Sequence, residues 1–145
     1  MRGALTLLGR ILFTAIFVFG AYGAITGWQQ HVGAIEGTDL PAAIVMAIGS
    51  VALLVLGALS LILGLFTRWG AVLLMIFLAV VTPLMHPFWD DPTQQPAFFK
   101  NVSLFGALLL ILAFGPGPWS LDRWRERRRA RIAAATRPES AQRPL

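Results

Sequence analysis

The sequence predicts an all-α integral membrane protein, a bundle of four membrane-spanning helices with both termini in the cytoplasm. Three observations predict this class. Of the 145 residues, 57% are apolar and only 13% are charged; four long stretches carry no formal charge; and the arginines collect on one side of the predicted membrane. Soluble domains have roughly 45–50% apolar and about 25% charged residues. The composition therefore excludes an ordinary soluble domain.

Charge and cysteine usage divide the chain and limit its chemistry. Of the 19 charged residues, 8 lie in residues 1–120 and 11 in residues 121–145. We therefore predict a four-helix transmembrane domain over 1–120, followed by a basic, partly disordered cytoplasmic tail over 121–145. The chain contains no cysteine, which excludes disulfides, thiolate metal sites and dithiol redox chemistry by this chain alone.

The first two spans are recognised by their length without charge. A helix needs about 20 residues to cross a bilayer core about 30 Å thick. The first span covers about residues 8–28 and contains the charge-free stretch from Ile11 to Trp28. The second covers about residues 41–66, because Asp39 before Pro41 is a typical helix start.

The last two spans are recognised by the prolines at which they end. The third covers about residues 69–86, because His86 precedes Pro87 and a residue before proline is disfavoured in a helix. The fourth covers about residues 99–115 and is the shortest, because a helix cannot continue through the run Gly115-Pro-Gly-Pro118. None of the four stretches alternates with period two, as strands of a membrane barrel would.

Basic residues set the predicted orientation. With a cytoplasmic amino terminus, 11 of the 12 Lys and Arg lie inside, where the net charge is +8. Lys100 then faces four acidic residues outside, where the net charge is −3. This is the asymmetry of the positive-inside rule. Trp28 and Trp89 mark the outer ends of the spans and Trp69 and Trp119 the inner ends, as aromatic belts do.

A cleavable signal peptide is the alternative for the first span. Arg2, the apolar run and the small residues Ala21 and Gly23 would place cleavage before Ala24. The charge-free run of 18 residues exceeds the 7–15 residues of a signal core, which favours a retained helix. The charge count allows both, because the other three spans keep their orientation without the first.

Small residues predict where the helices approach each other. In lipid, helix association depends on residues that allow the backbones to come close. Ala43, Ser50, Gly57 and Gly64 recur every seven residues along the second span and share one face. The stripe predicts the seam of the bundle or a dimer contact; the alternative is that glycine is simply common in membrane helices.

Polar residues collect at the predicted outer end of the bundle. No ionisable residue lies at mid-depth in any span, which argues against a pump or an ion-coupled transporter. No sequence pattern indicates a catalytic residue, so whether the protein is an enzyme stays open. The candidate residues for a quinone or substrate site are His86, Trp89, Lys100, Asn101, Tyr22 and Trp28.

His86 is the first of these candidates. An imidazole near the membrane surface can hydrogen-bond a quinone, ligate a haem or metal, or shuttle a proton. The alternative is that it only satisfies backbone carbonyls at the end of its helix. His31 lies on the same side of the membrane and could be a second ligand, but nothing in the sequence fixes the separation of the two. We therefore expect neither a haem nor a metal.

Lys100 and Asn101 lie together at the start of the last span. The Lys100 ammonium either reaches the membrane surface from a stem in lipid or pairs with Asp90, Asp91 or a substrate group. Asn101 needs hydrogen-bond partners if it enters the bundle, and could then pin the last two helices together.

The tail from Arg123 to Arg143 contains eight arginines. After four spans, a basic tail is expected to hold the topology and contact acidic lipid. We therefore predict no nucleic-acid partner. Its last third, Ala133 to Leu145, has a composition typical of disorder.

The order of these features resembles the DoxX family of small bacterial four-helix membrane proteins. The resemblance covers Leu8 to about Trp124. It rests on five motifs in this order: Gly9-Arg10-Ile-Leu-Phe, Gly64-Leu-Phe-Thr-Arg68, His86-Pro-Phe-Trp89, Lys100-Asn101 and Gly115-Pro-Gly-Pro-Trp-Ser-Leu-Asp122.

The resemblance implies a multi-pass protein of the bacterial inner (plasma) membrane. The family is named for its association with a membrane thiosulfate:quinone oxidoreductase, and some members are membrane partners in oxidative or thiol stress complexes. It implies a membrane subunit or partner of such a complex, with quinone as candidate ligand and a redox protein or a second copy as partner. Arg10 and Asp122 match recurrent polar positions of the family. The alternative is a non-catalytic membrane scaffold or a handler of small solutes or lipids.

Overall fold

Helices alone build the part of the chain that the computed structural model describes, residues 2–38 and 41–135. They are α1 (Arg2–Thr26), α2 (Trp28–Glu36), α3 (Ala43–Leu63), α4 (Thr67–Met85), α5 (Gln95–Phe114) and α6 (Leu121–Ala135), with a 3₁₀ turn at Pro92–Gln94 before α5. Of these, α1, α3, α4 and α5 are long and apolar enough to cross a membrane. The predicted all-α fold with four spanning helices is confirmed.

The helix ends differ from the predicted spans where local geometry was not visible in the sequence. Helix α3 ends at Leu63 rather than near residue 66, because Gly64 adopts a left-handed conformation (φ 65°) and closes the helix. Helix α5 begins at Gln95 rather than near residue 99, because Pro96 lies in its first turn, where a missing N–H is tolerated. With 20 residues, α5 is longer than α4 with 19, so the prediction that the fourth span is the shortest was wrong.

Two predictions from the sequence concern residues that lie wholly or partly outside the described ranges. Asp39, predicted to announce the second span, is outside the described residues. The predicted disordered stretch, Ala133 to Leu145, contributes its first three residues to α6, and its remainder is also outside them.

The spanning helices pack in the order α1, α3, α4, α5, each against the next. Their shared core contains the buried side chains of Phe17, Leu54, Leu61, Leu74 and Leu108. Within the described part of the chain, α1 and α5 do not pack closely against each other. The bundle is therefore less tightly closed between its first and last spans, and this opening matters for the site described below.

Two glycines allow α3 and α4 to approach closely. A Cβ placed on Gly57 would lie 2.5 Å from Leu74 Cγ and 3.2 Å from the Gly70 carbonyl oxygen, and a Cβ on Gly70 would overlap the Ser60 side chain. Gly57 of the predicted small-residue stripe thus belongs to the seam between α3 and α4. By contrast, nothing lies within 4 Å of a Cβ placed on Gly49.

Arg10 is a buried residue of α1. It lies near the end of the bundle where α1 begins, which we call the arginine end. Its Nη1 donates to the Pro116 carbonyl (2.7 Å), and its Nη2 donates to the carbonyls of Ile62 (3.3 Å) and Trp119 (3.2 Å). One guanidinium therefore joins α1 to the end of α3 and to residues 115–120, the linker after α5.

Asp122 caps the start of α4 from the other side of the linker. Its Oδ1 accepts from the Phe66 N–H (2.9 Å), and its Oδ2 accepts from the N–H and the hydroxyl of Thr67, both at 3.0 Å. The Asp122 N–H in turn donates to the Gly64 carbonyl (2.9 Å). Because Arg10 and Asp122 hold the two ends of the linker, the starts of α1 and α6 lie at the same end of the bundle. That this end is cytoplasmic stays a prediction.

Replacing Asp122 with Ala should lower the free energy of unfolding by about 1–3 kcal/mol, since it leaves buried donors at the start of α4 without an acceptor. Thermal unfolding in mild detergent measures the loss. Asp90→Ala is the control, because Asp90 is exposed and its side chain makes no hydrogen bond within the described residues. Equal stability of the two variants would contradict the role of Asp122.

Gly57→Ala should lower the free energy of unfolding by about 1–3 kcal/mol, because the added methyl overpacks the seam against the buried Leu74. Gly49→Ala in the same helix is the matched control. It meets open space and should be neutral or stabilising by about 0.5–1 kcal/mol, since alanine is the better helix former. A loss of the same size in both variants would show that the seam is not what constrains Gly57.

Candidate functional site

His86 terminates α4 at the opposite end of the bundle, which we call the histidine end. Its N–H donates to the Thr82 carbonyl (3.0 Å), and the following proline stops the helix, as predicted. Its Nδ1 lies 2.9 Å from Gln94 Oε1. An amide oxygen can only accept, so Nδ1 carries the proton, and the Nε2 of the neutral ring keeps a lone pair for another partner.

Three of the predicted site residues line one cavity. His86, Lys100 and Asn101 border a space of about 230 Å³, which we call the His86 cavity. The remaining walls are apolar and come from α1, α3, α4 and α5: Ile16, Phe17, Gly20, Leu54, Phe77, Leu78, Val81 and Leu104. The cavity thus lies where α1 and α5 fail to close on each other, and its polar groups come from the end of α4 and the start of α5.

Asn101 is the most unusual of the three. It is only 6% exposed, yet its side chain makes no hydrogen bond within the described residues, so the predicted hydrogen-bonded pin between the last two helices is absent. Thr82 of α4 is likewise 6% exposed, with no hydroxyl partner in the same ranges. Buried polar groups nearly always have partners. Among the described residues, the one fully buried side-chain polar atom that lacks a partner is Arg10 Nε. The polar atoms of Asn101 and Thr82 instead keep some accessible surface beside the cavities that these residues line, where a ligand could bond to them.

A neighbouring space of about 290 Å³, the Trp89 cavity, is lined by both Thr82 and Asn101. Asn101 thus borders both cavities. Trp89 lies on the wall of the second one, and its ring packs edge-on against Phe88 (5.5 Å between centroids) and Phe98 (6.0 Å). Trp89, Phe98 and Asn101 thus line the same cavity.

Lys100 is exposed at the edge of the His86 cavity. Of the two alternatives for Lys100, the ion pair with Asp90 or Asp91 is absent from the described residues. Asp91 instead caps the 3₁₀ turn, accepting from the hydroxyl (2.7 Å) and the N–H (2.9 Å) of Thr93. These bonds lower the pKa of Asp91. The Lys100 ammonium therefore has no acidic partner within the described residues. It is available to bond to a ligand in the His86 cavity.

Tyr22 and Trp28 stand apart from this group. Both are exposed, and neither lines the His86 cavity. Trp28 instead lies beside His31, with 6.4 Å between the ring centroids. Of the six predicted residues, the structure brings together His86, Lys100, Asn101 and Trp89.

His31 belongs to a separate cavity that the sequence did not reveal. It lies on the short helix α2, and its Nε2 is 2.9 Å from Ser50 Oγ. The Ser50 hydroxyl donates to the Ala47 carbonyl, so Oγ accepts and His31 Nε2 carries the proton. Ring and hydroxyl border an otherwise apolar space of about 210 Å³ between α2, α3 and α4. No helix was predicted between the first two spans, so the sequence analysis missed α2.

The two histidines considered as joint ligands do not line a common cavity. His31 and His86 bond to different residues and line different cavities. The described ranges contain no group of three or more His, Asp or Glu side chains placed to hold a metal ion.

Burial lowers the pKa of His31 below its usual 6.5. As pH falls below about 6.5, the unfolded chain binds a proton at this residue before the folded one does, so stability is lost over that range. His31→Gln keeps a donor for Ser50 but does not titrate. We therefore expect the melting temperature in detergent to fall less between pH 7.5 and pH 5 in the variant than in the wild type; identical pH profiles would contradict this.

Comparison with known proteins finds one matching family and several related membrane proteins. The family profile of DoxX matches residues 5–87, which include most of α1 and all of α2, α3 and α4. Inner membrane protein YphA of Escherichia coli is 33% identical over 127 residues, covering 84% of this chain and 91% of that protein. Inner membrane protein YqjF of the same organism is 31% identical, covering 81% and 88%.

A more distant relative is the Surfeit locus protein 4 homolog of Drosophila melanogaster. It is 25% identical over 83% of this chain, which spans 41% of that longer protein. No solved structure matches the chain. The family match, the two Escherichia coli relatives and the four spanning helices lead to one conclusion: this is a multi-pass inner membrane protein, and it belongs to the DoxX family.

Proposed function

We propose that this protein binds a quinone head group in the His86 cavity and serves as a membrane partner of a redox or stress-response complex. The observation that carries the proposal is the Asn101 amide, which has no hydrogen-bond partner within the described residues and lines one cavity with His86 and Lys100. Binding sites for small molecules are typically apolar with a few convergent polar groups, and the His86 cavity has this character.

The energetic argument starts from Asn101. The Asn101 amide avoids the cost of about 1–3 kcal/mol for an unpaired buried group only if the cavity that it lines holds a hydrogen-bonding partner, which lipid tails cannot be. A carbonyl or hydroxyl on a ligand would supply the missing partner, because an amide both donates and accepts. Retaining such a residue is costly for the fold alone and favourable for a protein that binds a polar head group.

The three polar residues of the His86 cavity could make different hydrogen bonds to a quinone. The Lys100 ammonium and the Asn101 amide can donate to a carbonyl oxygen. The free lone pair of His86 can accept from a hydroxyl, so the two forms of a quinone would meet complementary groups. A bound quinone would supply two-electron, two-proton chemistry within the membrane.

The size of the cavity favours a head group rather than a whole molecule. Its volume of about 230 Å³ lies below the roughly 300–1,000 Å³ of a typical ligand pocket. Exposed Ile16 and Gly20 of α1 border it. An isoprenoid tail would therefore leave between α1 and α5 and extend into lipid.

A partner role follows from the limited chemistry of the chain. With no cysteine, thiol oxidation would take place on a second protein, and this chain would bind and position the quinone. The competing proposal is a scaffold or a handler of small apolar solutes, which the almost wholly apolar His31 cavity favours.

The test is purification in mild detergent, followed by an absorption spectrum and mass analysis of the small molecules released. We expect a stoichiometric quinone from the wild type. Asn101→Leu should bind an added short-chain quinone at least about tenfold more weakly, yet unfold at a higher temperature, because it removes the unpaired amide. Ser103→Ala, an exposed change on the same helix, should bind as the wild type does.

Two results would contradict the proposal. Equal quinone binding by wild type and Asn101→Leu would remove the His86 cavity as the site. A wild type that carries no quinone and binds none would favour the scaffold or solute-handling role. In that case the proteins that copurify with the chain become the informative measurement.

A further inference from the structure

A larger cavity lies at the arginine end, far from the His86 cavity along α4. It has a volume of about 460 Å³ and is bordered by the start of α4, the linker after α5, and one face of α6. We call it the arginine cavity. Its charged residues are Arg68, Asp122, Arg123, Arg125, Glu126 and Arg129.

Both acidic residues of the arginine cavity are already occupied. The carboxylate of Asp122 accepts the N–H groups at the start of α4. Glu126 pairs with Arg123 at 3.2 Å. Within the described residues, Arg68, Arg125 and Arg129 therefore have no acidic partner, although Arg125 lies over the Phe66 ring at 5.4 Å.

The three unpaired arginines come from two elements that converge on one space. Arg125 and Arg129 are four residues apart, which places them on the same face of α6, while Arg68 lies in the first turn of α4. Guanidinium groups bind phosphate oxygens with paired hydrogen bonds. The charge of the arginine cavity therefore suits a phosphate group.

We propose that the arginine cavity binds the phosphate-bearing head group of an anionic phospholipid. Trp69, 70% exposed, and Phe114, 80% exposed, line the same cavity and lie at the ends of the spanning helices α4 and α5. They would face acyl chains immediately beside the phosphate, as tryptophan does at membrane surfaces. A soluble anion would not need these two apolar side chains for binding.

The position of α6 gives the lipid a structural role. In the described part of the chain, α6 does not pack closely against the spanning helices. It is joined to them through the Asp122 cap and the contact of Arg125 with Phe66. A phosphate held by Arg68 together with Arg125 and Arg129 would tie α6 to α4 and hold it at the membrane surface. This proposal does not depend on quinone binding.

The test measures lipid binding to the full chain in mild detergent by native mass spectrometry, with phosphatidylglycerol and phosphatidylcholine as probes. The double variant Arg68→Gln/Arg129→Gln removes two cavity arginines. Arg127→Gln/Arg131→Gln removes the same charge from α6 at positions that do not line the cavity. We expect one tightly held phosphatidylglycerol in the wild type, roughly 30-fold weaker binding in the cavity variant, and nearly unchanged binding in the control.

Three results would overturn the proposal. Equal weakening in both double variants would mean diffuse charge attraction. Displacement of phosphatidylglycerol by millimolar inorganic phosphate would mean a soluble-anion site, and tighter binding of a DNA duplex than of the lipid would mean a nucleic-acid surface. If the Gln variant does not fold, Arg68→Lys/Arg129→Lys keeps the charge and loses the paired hydrogen bonds; undiminished lipid binding by this variant would overturn the phosphate geometry.

Discussion

Backbone carbonyls and N–H groups at helix ends have no partner within their own helix, and the structure of the arginine end depends on satisfying them. Where α3 stops and α4 starts, carbonyls and N–H groups lie close to lipid and must find partners within the chain. Arg10 satisfies the carbonyls and Asp122 the N–H groups. Gly64 is part of the same arrangement, because a Cβ there would lie 2.8 Å from Arg10 Nη1. One buried cation and one carboxylate therefore fix the relative positions of α1, α3, α4 and the linker.

The two ends of the bundle differ in how their side chains treat the backbone. At the arginine end, the turn between α3 and α4 and the linker are held by side chains from distant parts of the chain. At the histidine end, Asn101, Thr82 and Lys100 lack partners within the described residues. Side chains thus fix the backbone at one end, and at the other end they leave hydrogen-bonding capacity that the proposed ligand would use.

The sequence predicted what depends on local composition and missed what depends on contacts between distant residues. Hydropathy located the four spans, and the proline after His86 located the end of α4. The cap on α4 could not be predicted, because Asp122 follows Thr67 by 55 residues. His86 and Lys100 converge because a short connection joins α4 to α5. Tyr22 was grouped with them by depth alone, since an almost uniformly apolar helix does not reveal which face its residues occupy.

The cap that Asp122 places on α4 has a consequence for biosynthesis. Synthesis proceeds from the amino terminus, and α1, α3 and α4 leave the ribosome well before Asp122 does. These helices can enter the membrane early, but the start of α4 obtains its acceptor only when the linker has followed α5 back to the same end. Insertion of α1, α3 and α4 can therefore precede formation of the Asp122 cap. The cap can form only in a chain whose α5 has already crossed the membrane.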